Sequence, residues 1–151
     1  MAVPYIACMA LVAQIYSLPP RVLPAIQAVE GGRLGTVSRN TNGSQDLGIM
    51  QINTLWLPHL AQYTKLPQAE VRDRLINRAC FNIAAAGLVF RIYLDEARGD
   101  LMRAVGNYHS HTPVRHQAYQ AKVMRSATRM FGQAAGGSQR QATPPMPGPG
   151  S

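Results

Sequence analysis

Prolines and a diglycine cut this chain into short segments whose apolar residues recur at helical spacing, and no segment reads as a strand of any length. Residues 5–17 carry Tyr5, Cys8, Met9, Leu11, Val12, Ile15 and Tyr16 at that spacing until Pro19-Pro20 stops them. A second helix is predicted from about Pro20 to Glu30, with Val22, Leu23, Ile26 and Val29 inward. Gly31-Gly32 ends it, as glycine just past a helix does. Segments Thr54–Thr64 and Pro67–Asn77 precede a long helix from about Ala79 to Ala97, on which Cys80, Ile83, Ala84, Gly87, Leu88, Arg91 and Leu94 share a stripe. Asp100 can N-cap a helix through about Tyr108, and Pro113 opens a last one to about Phe131. The expected fold class is all-α.

The exception is residues 31–47, a long polar stretch rich in Asn, Ser, Thr and Gly that returns at once to the apolar run Leu47 to Ile52. It is expected to be an ordered, working loop. After Phe131 the composition collapses to Gly, Ser, Gln and Pro, which cannot bury enough apolar surface to order itself. The expected organisation is therefore one domain over residues 1–132 and a disordered tail over 133–151. No apolar stretch approaches the roughly 18 residues of a membrane span, because Pro4, Gln14 and Pro19-Pro20 interrupt the one candidate region.

Fifteen basic residues against seven acidic ones give a net charge of +8. Such a surplus suits an anionic partner: nucleic acid, acidic lipid or an acidic polymer such as a bacterial wall. The basic residues are spread out, with Arg72, Arg74 and Arg78, then Arg115, Lys122, Arg125 and Arg129, as the nearest thing to a patch. Neither a recognition motif nor a clustered positive helix is present, so nucleic acid is not the expected partner. Cys8 and Cys80 fit two free thiols in a reducing compartment as well as one disulfide in an oxidising one. Residues 1–17 contain no Lys or Arg, so the positive n-region of a secretory signal is not legible there.

Among the acids, Glu70, Asp73, Asp95, Glu96 and Asp100 fall on polar faces or helix starts. Glu30 instead closes an uncharged segment, Val22–Val29, at a helix C-terminus. Burial and the negative end of the helix dipole would both raise its pKa toward that of a general acid, whereas a frayed end would turn it into water. Asp46 follows beyond the polar stretch. A protonated carboxyl facing an ionised one across a cleft is the arrangement for cutting glycosidic bonds. Gln51 and Asn53 are amide donors within an apolar run, suited to sugar hydroxyls and N-acetyl carbonyls or to bracing the loop.

Three stretches carry a resemblance. Glu30 with its glycines, Asn42-Gly43-Ser44-Gln45-Asp46-Leu47-Gly48-Ile49-Met50-Gln51-Ile52-Asn53, and Gly106-Asn107-Tyr108-His109-Ser110 resemble the signature motifs of the soluble lytic transglycosylase family. The closer likeness is to its small members associated with type IV and type III secretion systems and conjugative transfer. It covers roughly Cys8 to Met130. It implies a lysozyme-like helical domain with little or no sheet, needing no cofactor or metal, that cuts peptidoglycan between N-acetylmuramic acid and N-acetylglucosamine and leaves a 1,6-anhydro end. By matching position Glu30 would be the catalytic acid/base, with Asp46 a second carboxylate able to support hydrolysis instead. Ser44, Met50, Gln51, Asn53, Tyr108 and Tyr119 would meet the substrate, the Tyr108 hydroxyl holding the Glu30 carboxyl or the sugar.

The resemblance further implies a Cys8–Cys80 disulfide, action in the periplasm, and a place beside secretion or conjugation proteins. Two departures stand out: Gly31 where the family has Ser, and Asn107-Tyr108-His109 where it has Ala-Tyr-Asn. Other features carry less. His109, His111 and His116 lack zinc-type spacing and a partnering Cys. Ser110 has no positioned third group for a triad. Gly31, Gly32 and Gly35 follow a helix instead of opening one, which argues against a phosphate loop. Trp56, beside Leu55, Leu57 and Leu60, is expected in the core, and Met50, though it sits between two cleft candidates, reads by itself as packing before contact.

Overall fold

The computed structural model describes residues 5–132; the predicted tail over 133–151 lies outside them. Helices α1 (Ile6–Ile15) and α2 (Val22–Glu30) lead into three short strands, β1 (Val37–Arg39), β2 (Gln45–Leu47) and β3 (Ile52–Asn53). A 3-10 turn (Thr54–Trp56) runs into α3 (Leu57–Thr64), followed by α4 (Gln68–Asn77), α5 (Ala79–Glu96), α6 (Leu101–His109) and α7 (Pro113–Ala127), which ends in a π-turn (Thr128–Gly132).

α5 is the spine, packed against α1, α4 and α6, while α7 lies across α2 and α6. Its buried face is far wider than the stripe read from spacing. Asn82, Ile83, Ala85, Ala86, Gly87, Val89, Phe90 and Leu94 are buried, whereas Ala84, Leu88 and Arg91 are only half-buried and Cys80 is exposed. A helix enclosed on several sides loses the one-faced pattern that periodicity detects. Cys8 and Cys80 form a disulfide, with Cα atoms 5.9 Å apart, that pins α1 to the first turn of α5. Asp100 caps α6 as expected, its carboxylate accepting from the Arg103 N–H at 3.1 Å.

The polar stretch is not a plain loop. β1 and β2 pair antiparallel, with Ser38 opposite Asp46, and β3 adds to β2 with Asn53 opposite Asp46. The hairpin turn is made by Asn42, whose side-chain oxygen accepts from the Ser44 N–H at 3.0 Å and hydroxyl at 2.6 Å. Strands of two or three residues are too short for alternation to register in the sequence; the mostly helical body with its small three-stranded sheet matches the expected fold class of little or no sheet.

This sheet is riveted to the helices by Asn82. Buried to 1% exposure, its amide donates to the carbonyls of Leu47 and Leu75, both at 2.8 Å, and accepts from the Met50 N–H at 2.8 Å. Gly48 makes the approach possible. It sits at φ +68°, and a Cβ there would overlap the Leu75 carbonyl and the Asn82 amide.

Candidate active site

Between the sheet and the helical body runs an open cleft of about 620 Å³. The sheet supplies Ser44, Asp46, Gln51 and Asn53; Trp56, Val89 and Tyr93 line the helical side; Tyr108 and His109 reach it from the end of α6. Glu30, the last residue of α2, faces this space and is not turned into solvent. Gly31 arranges that exit. At φ +65° it takes the left-handed C-cap conformation, its N–H donating to the Gln27 carbonyl at 2.9 Å, so the chain reverses immediately after the acid. The missing family Ser thus falls at a position whose backbone favours glycine.

Burial raises the Glu30 pKa from 4.5 to about 7, outweighing the Tyr119 hydroxyl, which donates to its Oε1 at 2.8 Å and favours the ionised form. Of the charges nearby, that of Asp46 raises the value further and that of Lys122 lowers it. Near neutral pH the group exchanges a proton readily in either direction, as one side chain serving as acid and then base requires. Asp46 is held by the Asn53 amide, which donates to its Oδ1 at 3.0 Å and to the Ser44 hydroxyl at 3.0 Å. Asn53 also accepts from the Leu55 N–H at 2.9 Å, so this side chain braces the sheet end as well as lining the cleft.

Gln51 stands at φ +54°, a conformation rare for a residue with a side chain, and its amide donates to the Gly48 carbonyl at 2.9 Å. Backbone held this way beside a cleft is a recurrent mark of working sites.

Three expectations change. Met50 is fully buried, and only its carbonyl points toward the site, accepting from the Tyr108 hydroxyl at 3.4 Å; its side chain belongs to the core and not to a substrate wall. Tyr108 therefore does not hold the Glu30 carboxyl. Tyr119 does, because α7 crosses α2 and delivers its hydroxyl there. Both phenols are pushed well above their ordinary range, by burial first and then by the nearby carboxylates, so they act as donors. Trp56 is only partly core: half-buried, it meets Tyr93 edge-on at 5.9 Å and presents the rest of its surface to the cleft.

Sequence reasoning also missed His109, whose ring stacks flat on Tyr119 at 4.7 Å and 8°. Burial, Lys122 and Arg115 depress its pKa, favouring the neutral imidazole. Its place beside Tyr108 in the third motif was the available signal. His116 is used structurally, bonding the Ser110 carbonyl at 3.1 Å, and His111 meets Glu96 at 2.6 Å.

Fold and cleft define a class: a mostly α-helical, lysozyme-like domain with a proton-holding carboxyl on the wall of an open groove. The chain is 30% identical over 118 residues to Protein IpgF of Shigella flexneri, a match that spans 77% of this chain and 73% of that protein. It belongs to the same family as Protein IpgF. No family model matches the chain.

Proposed function

We propose that the chain is a peptidoglycan lytic transglycosylase that cuts the β-1,4 bond between N-acetylmuramic acid and N-acetylglucosamine. The observation that carries this reading is Glu30: a carboxyl raised to about 7 by burial, lining a sugar-sized groove whose other wall offers amides and hydroxyls. Protonated Glu30 gives its proton to the glycosidic oxygen as the bond to the muramoyl anomeric carbon breaks. The carboxylate left behind accepts the proton of the muramoyl 6-hydroxyl as that oxygen bonds to the same carbon. The products are a 1,6-anhydro end and a free 4-hydroxyl, and Glu30 regains its proton. Tyr119 positions the carboxyl and favours its ionised form, which suits the second step.

Asp46 favours a second reading. Lining the same groove and held by Asn53, it could stabilise an oxocarbenium-like state while water attacks, as in a muramidase. Mass spectrometry of digested peptidoglycan separates the two. Anhydro ends support the transglycosylase and reducing ends the hydrolase, while sacculus binding without product would leave a non-catalytic wall-binding component. The Cys8–Cys80 disulfide supports a place in an oxidising compartment such as the periplasm. The proposed role there is local opening of the wall for a secretion or conjugation apparatus, in keeping with the branch its motifs resemble.

A further inference from the structure

The end of α6 and the middle of α7 meet through a keyed contact. A Cβ on Gly106 would fall 2.2 Å from the His116 ring, so the missing side chain is what lets the two helices approach. His116 Nδ1 then donates to the Ser110 carbonyl at 3.1 Å, and Gln120 donates to the Met102 carbonyl at 2.6 Å, which fixes one helix against the other. His109 follows Gly106 by three residues and Tyr119 follows His116 by three. The same packing brings their rings together, with centroids 4.7 Å apart and planes 8° from parallel.

Tyr119 is only 4% exposed, whereas His109 stands at the surface, so the imidazole is the outer cover of one phenol face. The groove opens on one side of this cover and a second hollow, of about 290 Å³, on the other; Glu30, His109 and Arg115 line both. A phenol turns about two torsions, and packing on its faces selects the orientation in which its hydroxyl reaches Glu30 Oε1 at 2.8 Å. The charged and titrating groups around the imidazole are Glu30 from α2, Asp46 from β2, and Arg115, Tyr119 and Lys122 from α7. Burial first, then Lys122 and Arg115, hold it neutral against the pull of Asp46. A neutral ring covers the phenol without setting a cation beside the carboxyl, where a positive charge would draw off the proton the acid must keep. This is also the position at which the third motif departs from the pattern it resembles.

We propose that His109 is a positioning residue: its ring, laid on Tyr119, holds the phenol hydroxyl at the Glu30 carboxyl and acts on the acid through that hydroxyl alone. The proposal rests on the reading of Glu30 as acid and base given above. It assigns the work to the flat face of the imidazole and none to its nitrogens.

The test labels the glutamates, Glu30, Glu70 and Glu96, with ¹³C at the carboxyl and follows the Glu30 resonance with pH, its assignment fixed by Glu30→Gln. The native midpoint is expected at about 7. His109→Ala should raise it, as Tyr119→Phe does, because the hydroxyl that favours the ionised form is no longer held in place. The two substitutions together should raise it no further than Tyr119→Phe alone, since both act through one contact. His109→Phe keeps a flat ring without nitrogens and should return the midpoint to the native value. On soluble peptidoglycan fragments, His109→Ala should lower kcat about fivefold, the worth of one stacked pair, and leave KM unchanged. Circular dichroism confirms that each variant is helical. A midpoint that falls or stays put, an added shift in the double variant, no return with His109→Phe, or a raised KM with kcat intact would overturn the proposal. The titration needs no bond cleavage, so failure of the enzymatic reading shows separately, as sacculi left intact by the native chain.

Discussion

Replacing Glu30 with Gln should stabilise the protein, and by an amount that depends on pH in a way only a desolvated carboxyl produces. The native carboxyl moves from 4.5 in an open chain to about 7 in the folded one. At 1.36 kcal/mol for each tenfold, ionised Glu30 costs the folded chain about 3 kcal/mol more than the unfolded one. Below 4.5 the group is protonated in both states and this penalty is absent. Between 4.5 and 7 the folded state keeps a proton that the unfolded state has released, so native stability falls as pH rises, then levels off. The Gln variant carries no such group, while its side-chain oxygen can still accept from Tyr119. Its advantage should therefore grow by about 3 kcal/mol from pH 4 to pH 8, or roughly 10 °C in Tm for a domain of this size. Urea denaturation of both proteins at half-unit pH steps measures the difference, in which most other titrations cancel. A difference that stays flat across that range would show a solvated carboxyl at position 30 whose ionisation costs the fold nothing.

Other outcomes follow from the same geometry. Activity on purified sacculi should fall as pH rises through about 7, where Glu30 loses the proton it must donate; Tyr119→Phe, which removes a donor favouring the ionised form, should move that limb to higher pH, and a shift to lower pH would remove Tyr119 from this role. Cys8→Ser with Cys80→Ser should cost about 4 kcal/mol on the chain-entropy account of a closed loop this long, measured by denaturation under non-reducing conditions; a loss under 1 kcal/mol would contradict it. Asn82→Ala should cost about 3 kcal/mol, because the Met50 N–H and the Leu47 and Leu75 carbonyls lose their partner in the interior; hydrogen exchange should quicken first in the sheet, and unchanged exchange there would show that Asn82 does not hold it.

Helix positions were legible wherever a local rule acts: Gly31 ending α2, Asp100 capping α6 and Pro113 opening α7 all depend on residues within a turn of one another. The acid at position 30 was legible for the same reason, since the neutrality of Val22–Val29 and its place at the helix end are both local. What escaped depends on distance along the chain. Asn82 bonds partners up to 35 residues away, and Tyr119 meets Glu30 across 89, so neither role leaves a periodic mark. The hairpin escaped because its strands span three residues at most. Met50 packs in the core, as its apolar side chain suggested; only the contact role implied by its place in the motif failed, because position in the motif does not say which way a residue points.

The most direct measurement pairs the native chain with Glu30→Gln on purified sacculi, following released muropeptides while circular dichroism confirms that both proteins are helical. The native chain should release products bearing anhydromuramoyl ends, and the variant none. Equal release by both, from equally folded proteins, would mean that the bond is cut without Glu30.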